Sequence, residues 1–287
     1  MTLHDSSEML VTVFGGSGFL GRHVVRALAN RGYRIRAAVR RPELAGHLQP
    51  LGRVGQIHAV QAEGAAAVAQ AAAGAGARLV HVSAIGADEN SPSEYARSKA
   101  AGEKLVLAAR PAATIVRPSI VFGPEDEFFN RFAALACIAP ALPLPGGGHT
   151  RFQPVFAGDV AEAIALAVDG ATRPGATYEF GGPDVLTFRK LMEFTLATIG
   201  RRRLLAPMPF ALMKLQAMFL QFLPKPPLTP DQVELLRSDN VVSAAARDEG
   251  RTLEALGIVP NSVAAVAPSY LWRFRKTGQF SGRTGLA

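Results

Sequence analysis

Apolar and polar positions along the chain follow two rhythms. Leu10–Phe14 is a short apolar, β-rich run, the pattern of a buried strand. "GGSGFLG" follows at once. Over about Phe19–Asn30, Leu20, Val24, Val25 and Leu28 recur at helical spacing, and Gly32 marks the stop. Tyr33–Val39 reads as the second strand. Beyond it the pattern predicts a helix over about Glu43–Leu51, a strand over Gln56–Gln61, an Ala-rich helix over Glu63–Ala75 and a strand over Arg78–Ser83. A strand over Thr114–Phe122 ends at Gly123-Pro124. Val160–Val168 is a helical run for which Asp159 reads as the N-cap. Alternating strands and helices of these lengths predict a doubly wound parallel α/β sheet over residues 1–124. A smaller α/β domain should fill 125–287, with the strand region 151–156 free to return to the first.

The connection between the second strand and the strand ending at Ser83 is short. Val39 to Leu79 is 40 positions. A doubly wound fold fits one more strand and helix there, and such a βα unit takes roughly 30 residues. The sheet is therefore expected to lack one βα unit between about residues 55 and 78, with the joint at "AVQA". Two arrangements would close the gap. The Ser83 strand could move beside the first strand, giving the order 3-2-1-5-6, or Gln56–Gln61 could take the vacated place.

The glycines carry the first chemistry. Gly16, Gly18 and Gly21 form one GxGxxG, and Gly15, Gly18 and Gly21 an overlapping spacing, between a strand and a helix. Glycines here allow a tight turn, close approach of a pyrophosphate and close helix–strand packing, and the helix N-terminus offers amide donors. Gly15, Gly16, Ser17, Gly18, Phe19, Leu20 and Gly21 are the expected cradle of a dinucleotide. An NAD site usually ends its second strand with an acid that binds ribose hydroxyls. Arg40 and Arg41 stand there instead and match a 2′-phosphate, so NADP(H) is expected over NAD(H), with Arg22 in reach to assist. Ser83 ends its strand where ligands of open α/β sheets bind. Tyr95 and Lys99, four apart, share a helix face, where the ammonium would favour phenolate.

The order of "GGSGFLG", Ser83, "YARSKAAGE" and "ATIVRPSIVFGPEDEF" resembles the extended or atypical short-chain dehydrogenase/reductase superfamily, and the likeness runs on through "FQPVFAGDVAEAIALAV" and "YEFGGPDVLTFRKLMEF". The resemblance implies a Ser83–Tyr95–Lys99 triad and cofactor contacts from Tyr95, Lys99 and Pro118. This chain departs from the family in having no Asp just after the third strand and no Asn between Arg31 and Glu89. Some members of the superfamily keep the cofactor and lose the reaction.

Composition narrows the rest. Hydrophobic residues are 48% and charged residues 19%, as in globular chains. Cys137, the only cysteine, excludes an internal disulfide and reads as a small buried hydrophobe. The first residues show no apolar leader, and the histidines show no metal-ligand spacing. Glu125, Asp126 and Glu127 read as a solvated turn. Net charge is +2 over residues 1–200 and +6 over 201–287, so an anionic surface is an expected partner. Nucleic acid is excluded as a class, because aromatics are 7% and no recognition motif is present.

From Leu204 to Pro224 the only charge is Lys214. This suggests an apolar helix over 208–223, buried in its own core, against a partner or on a membrane surface, or spanning a bilayer. Arg201–Arg203 and Lys225 flank it, and a basic tail at 270–287, with Arg273, Arg275, Lys276 and Arg283, suits a partner's surface. Together with "LPKPPLTPDQVELLRSDNVVS" and "YLWRFRKTGQF", the chain is similar to the NAD(P)-binding accessory subunit family of respiratory complex I in its bacterial form. That resemblance implies bound NADPH without established turnover, complex I subunits as partners, and a cytoplasmic place on the inner face of the inner membrane. An active NADP-dependent reductase, epimerase or dehydratase using the triad is the rival. A degenerate interaction protein without cofactor is the third reading.

Overall fold

A computed structural model describes residues 8–61, 65–222 and 228–276. Ala62 at the end of the expected joint, Lys225 and the tail beyond 276 with Arg283 lie outside the described residues. In chain order the elements are β1 (Leu10–Phe14), α1 (Phe19–Asn30), β2 (Arg34–Val39), β3 (Ile57–Gln61), α2 (Ala65–Gly74), β4 (Val80–Val82), α3 (Glu94–Ala109), β5 (Thr114–Pro118), β6 (Val121–Phe122), α4 (Phe128–Ile138), β7 (Ala141–Pro145), β8 (Arg151–Phe152), β9 (Val155–Phe156), α5 (Ala157–Asp169), β10 (Thr177–Phe180), β11 (Leu186–Thr187), α6 (Phe188–Thr198), β12 (Leu204–Met208), α7 (Phe210–Leu220) and α8 (Pro230–Leu235).

The parallel sheet comes in two three-stranded halves, β3-β2-β1 and β4-β5-β10. β1 and β4 do not pair. Neither expected rearrangement occurs: β3 stays on β2, and β4 pairs with β5 alone. The short connection is accommodated by leaving the place of one strand open. A central parallel strand is normally covered on both faces, yet Leu10 is 48% exposed and Phe14 46%. Register puts Leu10 beside Arg34, and Thr12 beside Arg36, which faces His58 on β3. Arg34, Arg36 and His58 are exposed, so this face of the half-sheet is open.

The opposite face holds the halves together. α1 and α5 pack on it, and Val25, Leu28, Ile35, Ala37, Ile164 and Phe180 share one buried core with Leu253. Arg31 of α1 binds Glu162 through two nitrogens and Asp169 at 3.0 Å, both on α5, and the Tyr33 hydroxyl donates to Asp169. Burial and the bond to Asp169 push the Tyr33 phenol up to about 12. On the other face of the second half, α3 sets Val106 against Ile115, with α2 beside α3. A second core, rich in phenylalanine (Phe122, Phe129, Phe152, Phe188), lies between α4, α6 and the segment at 263–271. The two cores interleave along the chain, because 253–258 returns to the first and 263–271 to the second.

Several local expectations change. The expected helix at Glu43–Leu51 is two 3-10 turns, Pro42–Leu44 and Gly46–Leu51, because Gly46 and Pro50 disfavour an α-helix. Ser119 and Ile120 split Thr114–Phe122 into β5 and β6. Asp159 is not an N-cap. α5 starts at Ala157, and the Asp159 carboxylate accepts from Asn261 through its backbone N–H and its side chain, each at 2.7 Å. Asp126 is not a solvated turn residue. It is 2% exposed and accepts from the N–H of Phe129 at 2.6 Å and from the Tyr270 hydroxyl at 2.6 Å. Burial still holds its carboxyl above the usual range. Cys137 is half-buried, its thiol donating to the Phe274 carbonyl at 3.6 Å.

The apolar stretch is shorter than expected. Leu204–Met208 is a strand on β7, and the helix is only Phe210–Leu220. Among the described residues no helix is long and apolar enough to cross a membrane. Two of the tail's arginines bond to this chain itself. Arg273 donates to the Pro124 carbonyl and the Asn130 side chain, and Arg275 to the Thr198 carbonyl at 2.8 Å.

Candidate dinucleotide site

The glycine turn is built as its sequence suggests. Gly15, at φ +72°, turns the chain out of β1, and its N–H donates to the Ala38 carbonyl of β2 at 2.9 Å. Gly16 is buried, and a Cβ on it would sit 3.2 Å from that of Ala37. A Cβ on Gly21 would sit 2.2 Å from the Gly15 carbonyl oxygen, so only glycine lets α1 start this close to the turn. The first helical bond runs from Arg22 N–H to the Gly18 carbonyl at 3.0 Å. The N–H groups of Phe19, Leu20 and Gly21 precede it. No side chain caps this end, and no acid lies in the first turn. Three amide donors, the positive end of a 12-residue helix and a turn without side-chain bulk fit a diphosphate.

Arg40 and Arg41 follow β2, exposed and without a carboxylate partner among the described residues. Arg22 is differently placed. Its Nη1 lies 3.6 Å from Glu125, and its Nε is buried with no hydrogen-bond partner. Glu125 also lies 3.9 Å from His23, whose imidazole burial holds below its usual pKa despite that carboxylate. Sequence reasoning missed this bridge because it links residues 103 positions apart.

The triad candidates sit on β4 and α3 but are not joined. Ser83 is 4% exposed, its N–H bonded to the Val116 carbonyl at 2.7 Å, and its hydroxyl has no partner. Tyr95 is 45% exposed, and Lys99 Nζ lies 5.5 Å from the centre of the Tyr95 ring, over its face. That is a cation–π arrangement. Burial pushes the phenol up, against the expected shift toward phenolate. Two residues before Ser83, His81 has a buried Nε2 without a partner. Burial first and Lys99 second hold this imidazole below its usual pKa. Pro118 is buried in β5, and its carbonyl accepts from Ile85 N–H at 3.0 Å.

Two further residues frame this end. Asp231, at the start of α8, accepts from the N–H groups of Glu94 at 2.7 Å and Tyr95 at 3.3 Å, capping α3 where Tyr95 begins. Asn240 joins the ends of β4 and β5. Its side chain accepts from Ser119 Oγ at 2.6 Å and from Ile120 N–H at 3.1 Å, and donates to the Ile85 carbonyl at 3.2 Å. Only the capping box Thr229–Gln232 was readable as local pattern. Among the described residues no His, Cys, Asp and Glu cluster could hold a metal.

Two family models match the chain. The NAD dependent epimerase/dehydratase family matches residues 11–93, and the RmlD substrate binding domain residues 54–187. The mitochondrial NADH dehydrogenase [ubiquinone] 1 alpha subcomplex subunit 9 of Arabidopsis thaliana is 33% identical over 330 residues, covering 97% of this chain and 81% of that protein. The chain belongs to this subunit family. As a subunit-9 relative it is short in one respect: an alignment of 330 positions leaves at least 43 without a residue of this 287-residue chain. The ceramide reductase of Caulobacter vibrioides is 38% identical over 169 residues, covering 47% of this chain and 53% of that protein. In fold, the chain is similar to Escherichia coli NADPH-dependent quinone oxidoreductase QOR2 solved with NADPH, at a TM-score of 0.70 and 20% identity, covering 92% of this chain and 99% of that one.

Proposed function

We propose that this protein is an accessory subunit of respiratory complex I that holds NADPH as a structural ligand at the glycine turn. The observation that carries the reading is a contrast between two ends of one site. The phosphate end is complete, with a turn that tolerates no side chain at Gly21 and three free amide donors. The reaction end is not assembled: the Ser83 hydroxyl lacks a partner, Lys99 lies over the Tyr95 ring, and the phenol is pushed up. The unpaired Arg40 and Arg41, with no acid at the end of β2, favour NADP(H) over NAD(H). The relative named as a subunit of NADH dehydrogenase supports complex I partners.

The protein sits peripherally on the cytoplasmic face of the inner membrane. α7 supports this, since Leu212, Leu215, Met218 and Phe219 at its exposed side, with Phe222 just beyond its end, range from 46% to 83% exposed. Arg202, ahead of β12, is exposed and has no carboxylate partner among the described residues, which suits an anionic surface. The test is purification from membranes at low and high salt, followed by analysis of bound nucleotide and of thermal stabilisation by NADPH. Co-fractionation with complex I and bound NADPH are expected. A protein that binds no nucleotide overturns the reading.

A second reading is an active reductase on a lipid-like substrate, favoured by the ceramide reductase likeness and by Ser83, Tyr95 and Lys99. NADPH turnover on a long-chain keto-lipid, abolished by Tyr95→Phe, would establish it.

A further inference from the structure

The open place in the sheet is bounded by structure on several sides. Among the described residues β1 is bonded to β2 only and β4 to β5 only, so each has one edge of unpaired main-chain N–H and C=O groups, and both rest on one core. One wall is Leu10, Thr12 and Phe14, and the opposite wall is Val80, His81 and Val82, all partly exposed. The floor is fixed. Val11, Val13, Val80 and Val82 rest on the same core, which α1 and α5 seal, and the Arg31 bonds to Glu162 and Asp169 lock those two helices. With α1 and α5 locked, β4 cannot close onto β1 without breaking that interface.

We propose that this slot accepts an extended segment of a partner protein, which pairs in parallel with both β1 and β4. The chemistry of the segment follows from the walls. About five residues match the length of β1. They must be apolar on the floor side, where valines wait. The opposite rim carries Arg34, Arg36 and His58 on the face shared with Leu10 and Thr12, and neither arginine has a carboxylate partner among the described residues. Acidic residues flanking the segment therefore suit that rim. The Arabidopsis relative, with at least 43 more aligned positions than this chain, has chain enough to supply such a unit itself. Here β3 leads to α2 through residues 62–64 alone, and no strand among the described residues fills the place. A second copy is a poor donor, since every strand among its described residues is already paired. The proposal does not depend on whether the glycine turn holds NADPH.

The test uses the full-length chain and a synthetic peptide of about five alternating apolar residues, the length of β1, flanked on each side by glutamates. Hydrogen exchange is followed in β1, in β4 and in β10, the strand at the end of the second half. With peptide, the slot-facing amides of β1 and β4 should slow at least about tenfold, while β10 is unchanged. The same peptide with proline at its centre, which cannot donate to the ladder, should do nothing. A second chain carries that segment, preceded by a crossover of about a dozen or more residues, spliced between Gln61 and Ala65. It should show the protection without peptide and take up none. No slowing in β1 and β4, equal slowing in β10, or peptide binding to the spliced chain overturns the proposal. Protection that rises with protein concentration in the absence of peptide assigns the slot to a second copy and also overturns it.

Discussion

Replacing Gly21 by alanine tests the glycine turn most directly. The new methyl carbon would stand 2.2 Å from the Gly15 carbonyl oxygen and 2.8 Å from the Gly16 Cα, both backbone atoms. Ordinary contact begins at 3.4 Å, so 3.4 less 2.2 leaves 1.2 Å to be found by moving α1 off the turn. Overpacking of this kind costs about 1–3 kcal/mol. Alanine recovers up to about 1 kcal/mol through its higher helix propensity, less this near the helix start. A net loss of about 1–2 kcal/mol is expected, and at about 2–4 °C per kcal/mol the melting temperature should fall by about 2–8 °C. The movement also displaces the amides of Phe19, Leu20 and Gly21. NADPH at a hundred times its Kd should stabilise the parent by about 2.7 kcal/mol and the variant far less. Differential scanning calorimetry with and without NADPH reads both effects. Gly74→Ala is the control, because Gly74 ends α2 with nothing near its Cβ, and it should be neutral or stabilising. If Gly21→Ala melts like the parent and gains as much from NADPH, the close approach is not what forms the site.

Three further outcomes are expected. Arg40→Ala together with Arg41→Ala should weaken NADPH binding at least about tenfold in titration calorimetry and leave NADH unchanged, since charge-assisted bonds contribute about 1.5–3 kcal/mol each. Arg117→Met should cost about 3–5 kcal/mol by denaturant unfolding, because it strands the Glu103 side chain, 8% exposed and bound through both oxygens, and adding Glu103→Leu should recover most of the loss. Burial raises Asp126 above 3.8, so its contribution to stability is present below that pH and lost as pH rises through the raised value. Tyr270→Phe removes a donor to the ionised carboxylate, so its penalty, about 1–3 kcal/mol at neutral pH, should shrink toward about pH 4 in parallel melts.

The turn from β1 into α1 was legible because its determinants are local: a five-residue apolar run, glycines at fixed offsets and one helical stripe. The missing βα unit was legible by counting, since a strand and a crossover helix need a minimum of chain. How the sheet would respond was not. Whether β4 closes onto β1 depends on the α1–α5 contact and on Arg31 meeting Glu162, 131 positions away. Ser83, Tyr95 and Lys99 could be placed on their elements from spacing, but the Tyr95 environment could not. Tyr95 is 45% exposed, and the side-chain geometry puts Lys99 over its ring face, neither of which spacing shows. Asp126 looked solvated because its acidic neighbours are local, whereas its burial rests on Tyr270, 144 positions on.

The path of the last fifty residues has a consequence for how the molecule can come apart. Asn240 ties the ends of β4 and β5, Leu253 enters the first core, Asn261 holds Asp159, and Val263 to Leu271 complete the second core. The chain is laced through both cores in turn, like a cord through alternate eyelets. Neither core can be excised intact by one cut. A nick near residue 240 should loosen both at once, and heating should give one calorimetric transition where two lobes strung in sequence would give two.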